Sequence, residues 1–183
     1  MIIVTTDTYM LITTVAVSII ALFTDLRSRR IPNALTLPVI TLGLAYHLVI
    51  GGPPMLLQSA EGMMLGLGLF MIPYFMGGMG AGDAKLMGAL GALAGPWAIA
   101  NIALFTALAG GIYALGIIIM RRESKQYIMG GLASLWVLAA TRNLSLISMP
   151  RKEAMPRLCY AVAIASGTVF YMVLALSGHN MIF

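Results

Sequence analysis

Residues Gly77–Lys85 read Gly-Gly-Met-Gly-Ala-Gly-Asp-Ala-Lys, and they place a carboxylate and an ammonium group between two long apolar segments. Glycine lets a backbone adopt positive φ angles or approach another chain closely, so the run predicts a break between two elements. An acidic side chain at a membrane boundary is costly and usually has a functional reason. The stretch therefore divides the chain and makes Asp83 the first candidate for chemistry.

The composition around this stretch is that of an integral membrane protein. Of 183 residues, 60% are hydrophobic and 9% are charged, whereas soluble domains have about 45–50% and about 25%. Several apolar runs approach the ~20 residues that a helix needs to cross a bilayer. The simplest prediction is a single membrane-embedded domain that covers residues 1–183.

Six apolar runs predict six transmembrane helices. Backbone amides in lipid must find hydrogen-bond partners within their own segment, so the predicted class is all-α. Glycine, proline and charged residues separate the runs. The predicted spans are Tyr9–Phe23, Leu35–Ile50, Gly62–Met76, Ala84 to about Gly95, Trp97–Met120 and Leu158–Leu176.

The eleven basic residues predict the orientation of these spans. With six spans, every basic residue falls on one side: after the first span, at Lys85, or between the fifth and sixth spans. The positive-inside rule makes that side the cytoplasm, so both termini lie outside a cytoplasmic (inner) membrane. The opposite loops then carry only Asp7 and Glu61 as charged residues.

The apolar run at residues 127–140 is too short for a comfortable span, since a crossing helix needs ~20 residues. A crossing there would also move four basic residues to the opposite side: Arg142, Arg151, Lys152 and Arg157. We therefore predict an interfacial or re-entrant helix between the fifth and sixth spans.

Two carboxylates stand where an apolar run meets the predicted cytoplasmic face, Asp25 after the first span and Asp83 before the fourth. Helix packing could bring them together because both lie at the same membrane level. Two carboxylates that share a partly desolvated site cannot both ionise easily, so the pair holds one proton. The ionised member can then take a proton from water while the other polarises a carbonyl, as aspartic proteolysis requires.

The residues alone leave structural alternatives open. Asp25 could pair with Arg27 or Arg29, and Asp83 could cap the fourth span, because free amides and the helix dipole favour a carboxylate at a helix N-terminus. Lys85 could contact a substrate carboxylate, but a lysine at the end of a span often extends to the headgroups.

Two segments together resemble the paired signature of the type IV prepilin peptidases, aspartic proteases with a Gly-x-Gly-Asp motif. They are Asp25-Leu-Arg-Ser-Arg-Arg-Ile-Pro-Asn33 and Gly80-Ala-Gly-Asp-Ala-Lys-Leu-Met87. The resemblance covers nearly the whole chain and is closest to the short form that serves the tight-adherence (Flp) pilus, the TadV/CpaA type.

This resemblance implies roles for individual residues and a substrate. Asp25 and Asp83 would be the catalytic pair, Gly80 and Gly82 would shape the loop that presents Asp83, and Lys85 would support the motif. The substrates of the family are prepilins and pilin-like proteins with a basic leader, which is cut at the cytoplasmic membrane face.

The chain departs from the longer, bifunctional members of the family. It lacks their N-terminal extension with paired Cys-x-x-Cys motifs, and Cys159 is its single cysteine. We therefore expect no zinc, no other cofactor, no N-methylation and no nucleic-acid partner. The lipid bilayer and the prepilin are the expected partners, and the oligomeric state stays open.

A different class of function is compatible with the same two acids. In a small membrane transporter or a pilus-assembly scaffold, the aspartates would carry protons or bind a partner. Transport would depend on a gradient and would yield no peptide product, whereas proteolysis would persist in detergent.

Overall fold

The structure is a computed structural model that describes residues 8–75, 78–120 and 160–177. These ranges form four helical elements: α1 (Thr8–Ser28), α2 (Asn33–Phe75), α3 (Ala81–Met120) and α4 (Tyr160–Leu176). The described residues contain no strand. The predicted all-α class is confirmed for this part of the chain.

The chain divides into two compact units, Met1–Gly110 with Cys159–Phe183, and Gly111–Leu158. The first unit holds α1, α2, α4, most of α3 and every residue of the predicted site. In the second unit only the end of α3 is described. The interfacial helix predicted at residues 127–140 lies outside the described residues, and the single domain over residues 1–183 stays a prediction.

Helix α2 consists of two arms that fold back on each other at Gly52, where φ is 64° and ψ is −159°. A Cβ on Gly43, before the break, would lie 3.0 Å from the Ala92 carbonyl oxygen. The Ser59 hydroxyl, after the break, donates a 2.6 Å hydrogen bond to that same oxygen. In a straight helix residues 43 and 59 would be about 24 Å apart, so their common partner shows a hairpin.

Helix α3 folds back in the same way at Gly95, where φ is 81° and ψ is 176°. A Cβ on Gly66 of α2 would meet both the Met87 carbonyl oxygen and Cγ1 of Ile99, the latter at 3.1 Å. Residues 87 and 99 would be about 18 Å apart in a straight helix. The first arm, residues 81–94, and the part of the second arm that lies in the same unit, residues 96–110, are therefore side by side.

Both hairpins use the same local chemistry, a glycine with positive φ followed by proline. The glycine takes the backbone conformation that ends a helix, and proline is tolerated in the first turn of the next one because its missing N–H would have no partner there. The boundary predicted at Gly95 is confirmed. The predicted start of the third span at Gly62 is wrong, because the second arm of α2 begins directly after Gly52 and includes Glu61.

By length and composition, three of the described helices can cross a membrane: Tyr9–Ser28, Asn33–Phe75 and Ala81–Ala114. Helix α4 is a shorter apolar helix of 17 residues. Because α2 and α3 have two arms each, the described residues form six helical segments, in the order of the six predicted spans. That each segment crosses the bilayer stays a prediction.

The first arm of α3 is the core of this bundle. Residues 86–94 are all buried, with Leu86, Met87 and Leu90 wholly inaccessible. A helix that is apolar all round is typical of such a central position. Glycines let the neighbouring backbone approach it, since a Cβ on Gly62 would clash with the Gly91 carbonyl, and small residues give membrane helices this kind of close contact.

Candidate active site at one end of the bundle

Asp25 lies near the C-terminal end of α1, on the face that turns into the bundle. The buried residues Thr14, Ser18, Ala21 and Asp25 follow one another at three- and four-residue intervals, which places them on one side of the helix. Asp25 is only 8% exposed. The helix closes just beyond it, where Arg29 adopts φ 51° and its N–H donates a 2.7 Å hydrogen bond to the Asp25 carbonyl.

Asp83 lies in the first turn of α3 and is 9% exposed. Its Oδ2 accepts a 3.1 Å hydrogen bond from the Gly80 N–H, and its own N–H donates to the Gly80 carbonyl, also at 3.1 Å. The first bond satisfies a free N–H at the helix N-terminus, as the second acid of a capping box does, and the second is a backbone bond that closes the first turn. The capping role predicted for Asp83 is therefore confirmed, and the cap fixes the direction in which the carboxylate can point.

The two sequence segments that carry the aspartates are in contact. A Cβ on Gly82 would lie 3.1 Å from Cβ of Ile31, so only a hydrogen atom fits there without a shift. Three residues further along, Lys85 Nζ donates a 3.0 Å hydrogen bond to Oδ1 of Asn33, a residue 52 positions earlier in the chain. The connection between α1 and α2 thus packs against the start of α3.

The electrostatic environment links the same groups. Asp25 and Asp83 lie near enough for their charges to interact, and Arg29 interacts in the same way with Asp25. Among the described residues neither carboxylate forms an ion pair, so the direct pairing of Asp25 with Arg27 or Arg29 is not found there. The structure therefore brings the two acids together, each largely withdrawn from solvent.

Tyr160, the first residue of α4, is a further member of this environment. Its phenol group interacts with the charge of Asp83, and its Cε1 would lie 3.6 Å from a Cβ on Gly110. The residues alone did not indicate Tyr160, because no motif or spacing connects the start of the last helix with Asp83.

An open groove of about 590 Å³ adjoins the first of the two segments. It follows the end of α1 and the connection to α2, and two arginines are among its lining residues. Ile31 and Asn33 belong to both the groove and the contact with α3. The lining residues are Thr24, Arg27, Ser28, Arg30, Ile31, Pro32 and Asn33.

Within the described ranges, no group of three or more histidine, cysteine or acidic side chains is placed to hold a metal ion. The arrangement does offer two buried carboxylates, Asp25 at the end of α1 and Asp83 at the start of α3. A pair of this kind can exchange protons with a water molecule between its members, which is general acid–base chemistry.

The chain is similar in sequence to known proteins. Over 136 residues, the chain is 35% identical to a prepilin leader peptidase/N-methyltransferase of Aeromonas salmonicida (strain A449) and 34% identical to one of Aeromonas hydrophila. The matches cover 66% of this chain and 46% and 47% of the relatives, so the chain spans about half the length of the curated relatives it matches. No solved structure matches.

A family model described as the type IV leader peptidase family matches residues 12–115. The matched range is more than half of the 183 residues, and it contains both aspartates and the Asn33–Lys85 contact. The chain belongs to the type IV leader peptidase family.

Proposed function

We propose that this protein is a membrane-embedded aspartic endopeptidase that removes the leader peptide from prepilins and pilin-like proteins. The observation that carries the proposal is the contact between the two sequence segments, each of which holds a buried aspartate, Asp25 or Asp83. Family membership and the names of the relatives support leader peptides as the substrate class.

In the proposed reaction, the two carboxylates share one proton and hold a water molecule. The ionised aspartate takes a proton from this water as it attacks the scissile carbonyl, and the protonated aspartate donates to the carbonyl oxygen. No covalent bond to the enzyme forms. The Gly80 cap would keep the Asp83 carboxylate in place during the transfer, because it fixes one of the two oxygens.

The proposed topology has six crossings with the site at the cytoplasmic face. Asp25 lies near the end of the first segment and Asp83 at the start of the fourth. If every segment crosses the membrane, the end of the first segment and the start of the fourth lie on the same side. Arg27 and Lys85 lie at that level too, which the positive-inside rule places in the cytoplasm. Both termini would then lie outside the inner membrane.

The proposed client is a prepilin of the tight-adherence (Flp) type. The resemblance of the two sequence segments to the short form of the family supports this choice. Determining the mass of the product's new N-terminus after incubation with candidate prepilins would identify the client and the cleaved bond.

The test of the catalytic assignment uses purified protein in detergent with a prepilin substrate. We expect Asp25→Asn and Asp83→Asn each to lower kcat by at least about 100-fold, because either change removes one half of the proton transfer. Glu61→Gln is the matched control, since it neutralises an exposed carboxylate in the second arm of α2. Full cleavage by either aspartate variant would contradict the assignment.

The same assay separates the peptidase from a transporter or scaffold. Detergent micelles sustain no ion gradient, so a peptide product formed there requires a hydrolytic site in the protein. Absence of product with the wild-type protein and every candidate prepilin would favour the non-enzymatic class.

A further inference from the structure

We propose that Asn33 and Lys85 are a positioning pair that holds the two aspartate-bearing segments in register; this inference rests on the proposed function. Neither residue would touch the reacting atoms. Their role would be to fix the start of α3, and with it Asp83, relative to the end of α1 and Asp25.

Each of the two residues lies close in sequence to one of the aspartate-bearing helix ends. Lys85 follows Asp83 by two positions in the same helical turn, and Asn33 is the first residue of α2 after a short connection from α1. The hydrogen bond from Lys85 Nζ to Asn33 Oδ1 is 3.0 Å long. It therefore joins the two segments directly, at the membrane level of the acids.

A second contact makes this register specific. Gly82 packs against Ile31 so closely that an added Cβ would lie 3.1 Å from Cβ of Ile31. The close contact limits how near the segments can come, whereas the hydrogen bond limits how far they can separate. Together they restrain the start of α3 in both directions.

The chemistry of the proposed reaction is sensitive to such restraint. A displacement of about 1 Å between reacting groups can cost roughly 100-fold in rate, even when the mutation is remote from the reacting atoms. Asn33 and Lys85 are both exposed, so water competes for their bond and its net contribution to folding is modest. Removing it should disturb the geometry of the site more than the stability of the fold.

The experiment is a double-mutant cycle with conservative rescue. Asn33→Leu and Lys85→Met each remove the hydrogen bond while keeping side-chain size, and Asn33→Asp and Lys85→Arg each keep it. Gln58→Leu is the matched control, because it replaces an exposed amide in the second arm of α2. For each variant kcat, KM and the melting temperature are measured in the same detergent.

We expect Asn33→Leu and Lys85→Met each to lower kcat about tenfold with KM unchanged, because the geometry of the acids is altered and the binding surface is not. The double variant should be no slower than the slower single variant. Asn33→Asp, Lys85→Arg and the control should keep at least half of the wild-type kcat, and melting temperatures should stay similar.

Four results would overturn the pair. A rise in KM with unchanged kcat would make the residues substrate contacts, and losses that multiply in the double variant would make them independent. Loss of activity that simply follows the melting temperature would make them structural. If Asn33→Leu keeps the wild-type kcat while Asp25→Asn and Asp83→Asn are inactive, the positioning pair is refuted but the proposed function is not. Cleavage by the aspartate variants would refute the proposed function itself.

Discussion

At the scale of single residues, the carboxylate of Asp83 is held by the helix it begins. The Gly80 N–H donates to Oδ2 at 3.1 Å, and Gly80 leaves room for that oxygen because it has no side chain. A Cβ at position 80 would lie 3.2 Å from Oδ2, which is tighter than ordinary contact. Gly80, three residues before the acid, therefore matters because it leaves space for the carboxylate as well as because it forms the turn.

This close fit leads to a prediction for Gly80→Ala. We expect the added methyl group to displace the Asp83 carboxylate by a few tenths of an ångström and to lower kcat by about tenfold, since rate depends steeply on such displacements. Gly78→Ala is the matched control, because its Cβ would meet only the Pro73 carbonyl at an ordinary 3.7 Å. Equal kcat values for the two variants would contradict the packing argument.

Single residues also show what the sequence could and could not predict about the site. Asp25 and Asp83 were found because a carboxylate beside an apolar run is costly and needs a reason. The partnership of Lys85 with Asn33 was missed, since it depends on tertiary contact across 52 positions and no local spacing rule connects the two. Tyr160 was missed for the same reason.

At the scale of helices, the Gly-Pro pairs at 52–53 and 95–96 turn two long helices into hairpins. The break at Gly95 was predictable because the glycine and proline stand alone between apolar runs. The break at Gly52 is also predictable from the Gly-Gly-Pro-Pro run at residues 51–54, but the third span is predicted to begin only at Gly62. Proline is acceptable in the first helical turn, so the helix resumes at once and carries Glu61 with it.

Backbone contact between these hairpins predicts the cost of a single methyl group. A Cβ on Gly62 would clash with the Gly91 carbonyl and lie 2.9 Å from Cα of Gly95. We expect Gly62→Ala to destabilise the bundle by about 1–3 kcal/mol, the usual range for overpacking. Thermal unfolding in detergent measures this, with Gly68→Ala as the control because no atom lies within 4 Å of its Cβ.

The prediction fails if the two alanine variants melt at the same temperature. In that case the close approach of Gly62 and Gly91 would not contribute to stability, and the second arm of α2 and the first arm of α3 could move apart without lowering the melting temperature. A lower melting temperature for Gly62→Ala alone supports direct packing of the two backbones.

At the scale of the whole molecule, the apolar runs predicted the number and order of helical segments in the described residues. This worked because the bilayer demands both length and apolar composition, and both are visible in a sequence. How the segments surround the first arm of α3 was not predictable. Small residues along α2 and α3 indicate close packing, but they do not identify which helix is packed on which.

The proposed topology can be tested with single cysteine reporters. In a Cys159→Ser background, we expect Arg30→Cys to react with a membrane-impermeant maleimide only in inside-out vesicles. Pro54→Cys, at the turn of the α2 hairpin, should react only in intact spheroplasts. Labelling of both positions from the same side would contradict a crossing by the first arm of α2.

The first arm of α3 has a consequence for how the protein is made. At 1.5 Å per residue its fourteen residues reach about 21 Å, less than the ~30 Å hydrocarbon thickness, and residues 86–94 are buried by the other segments. We expect this arm to insert stably only after the segments that pack around it have been inserted. Asp83 would then reach its working position only when assembly is complete.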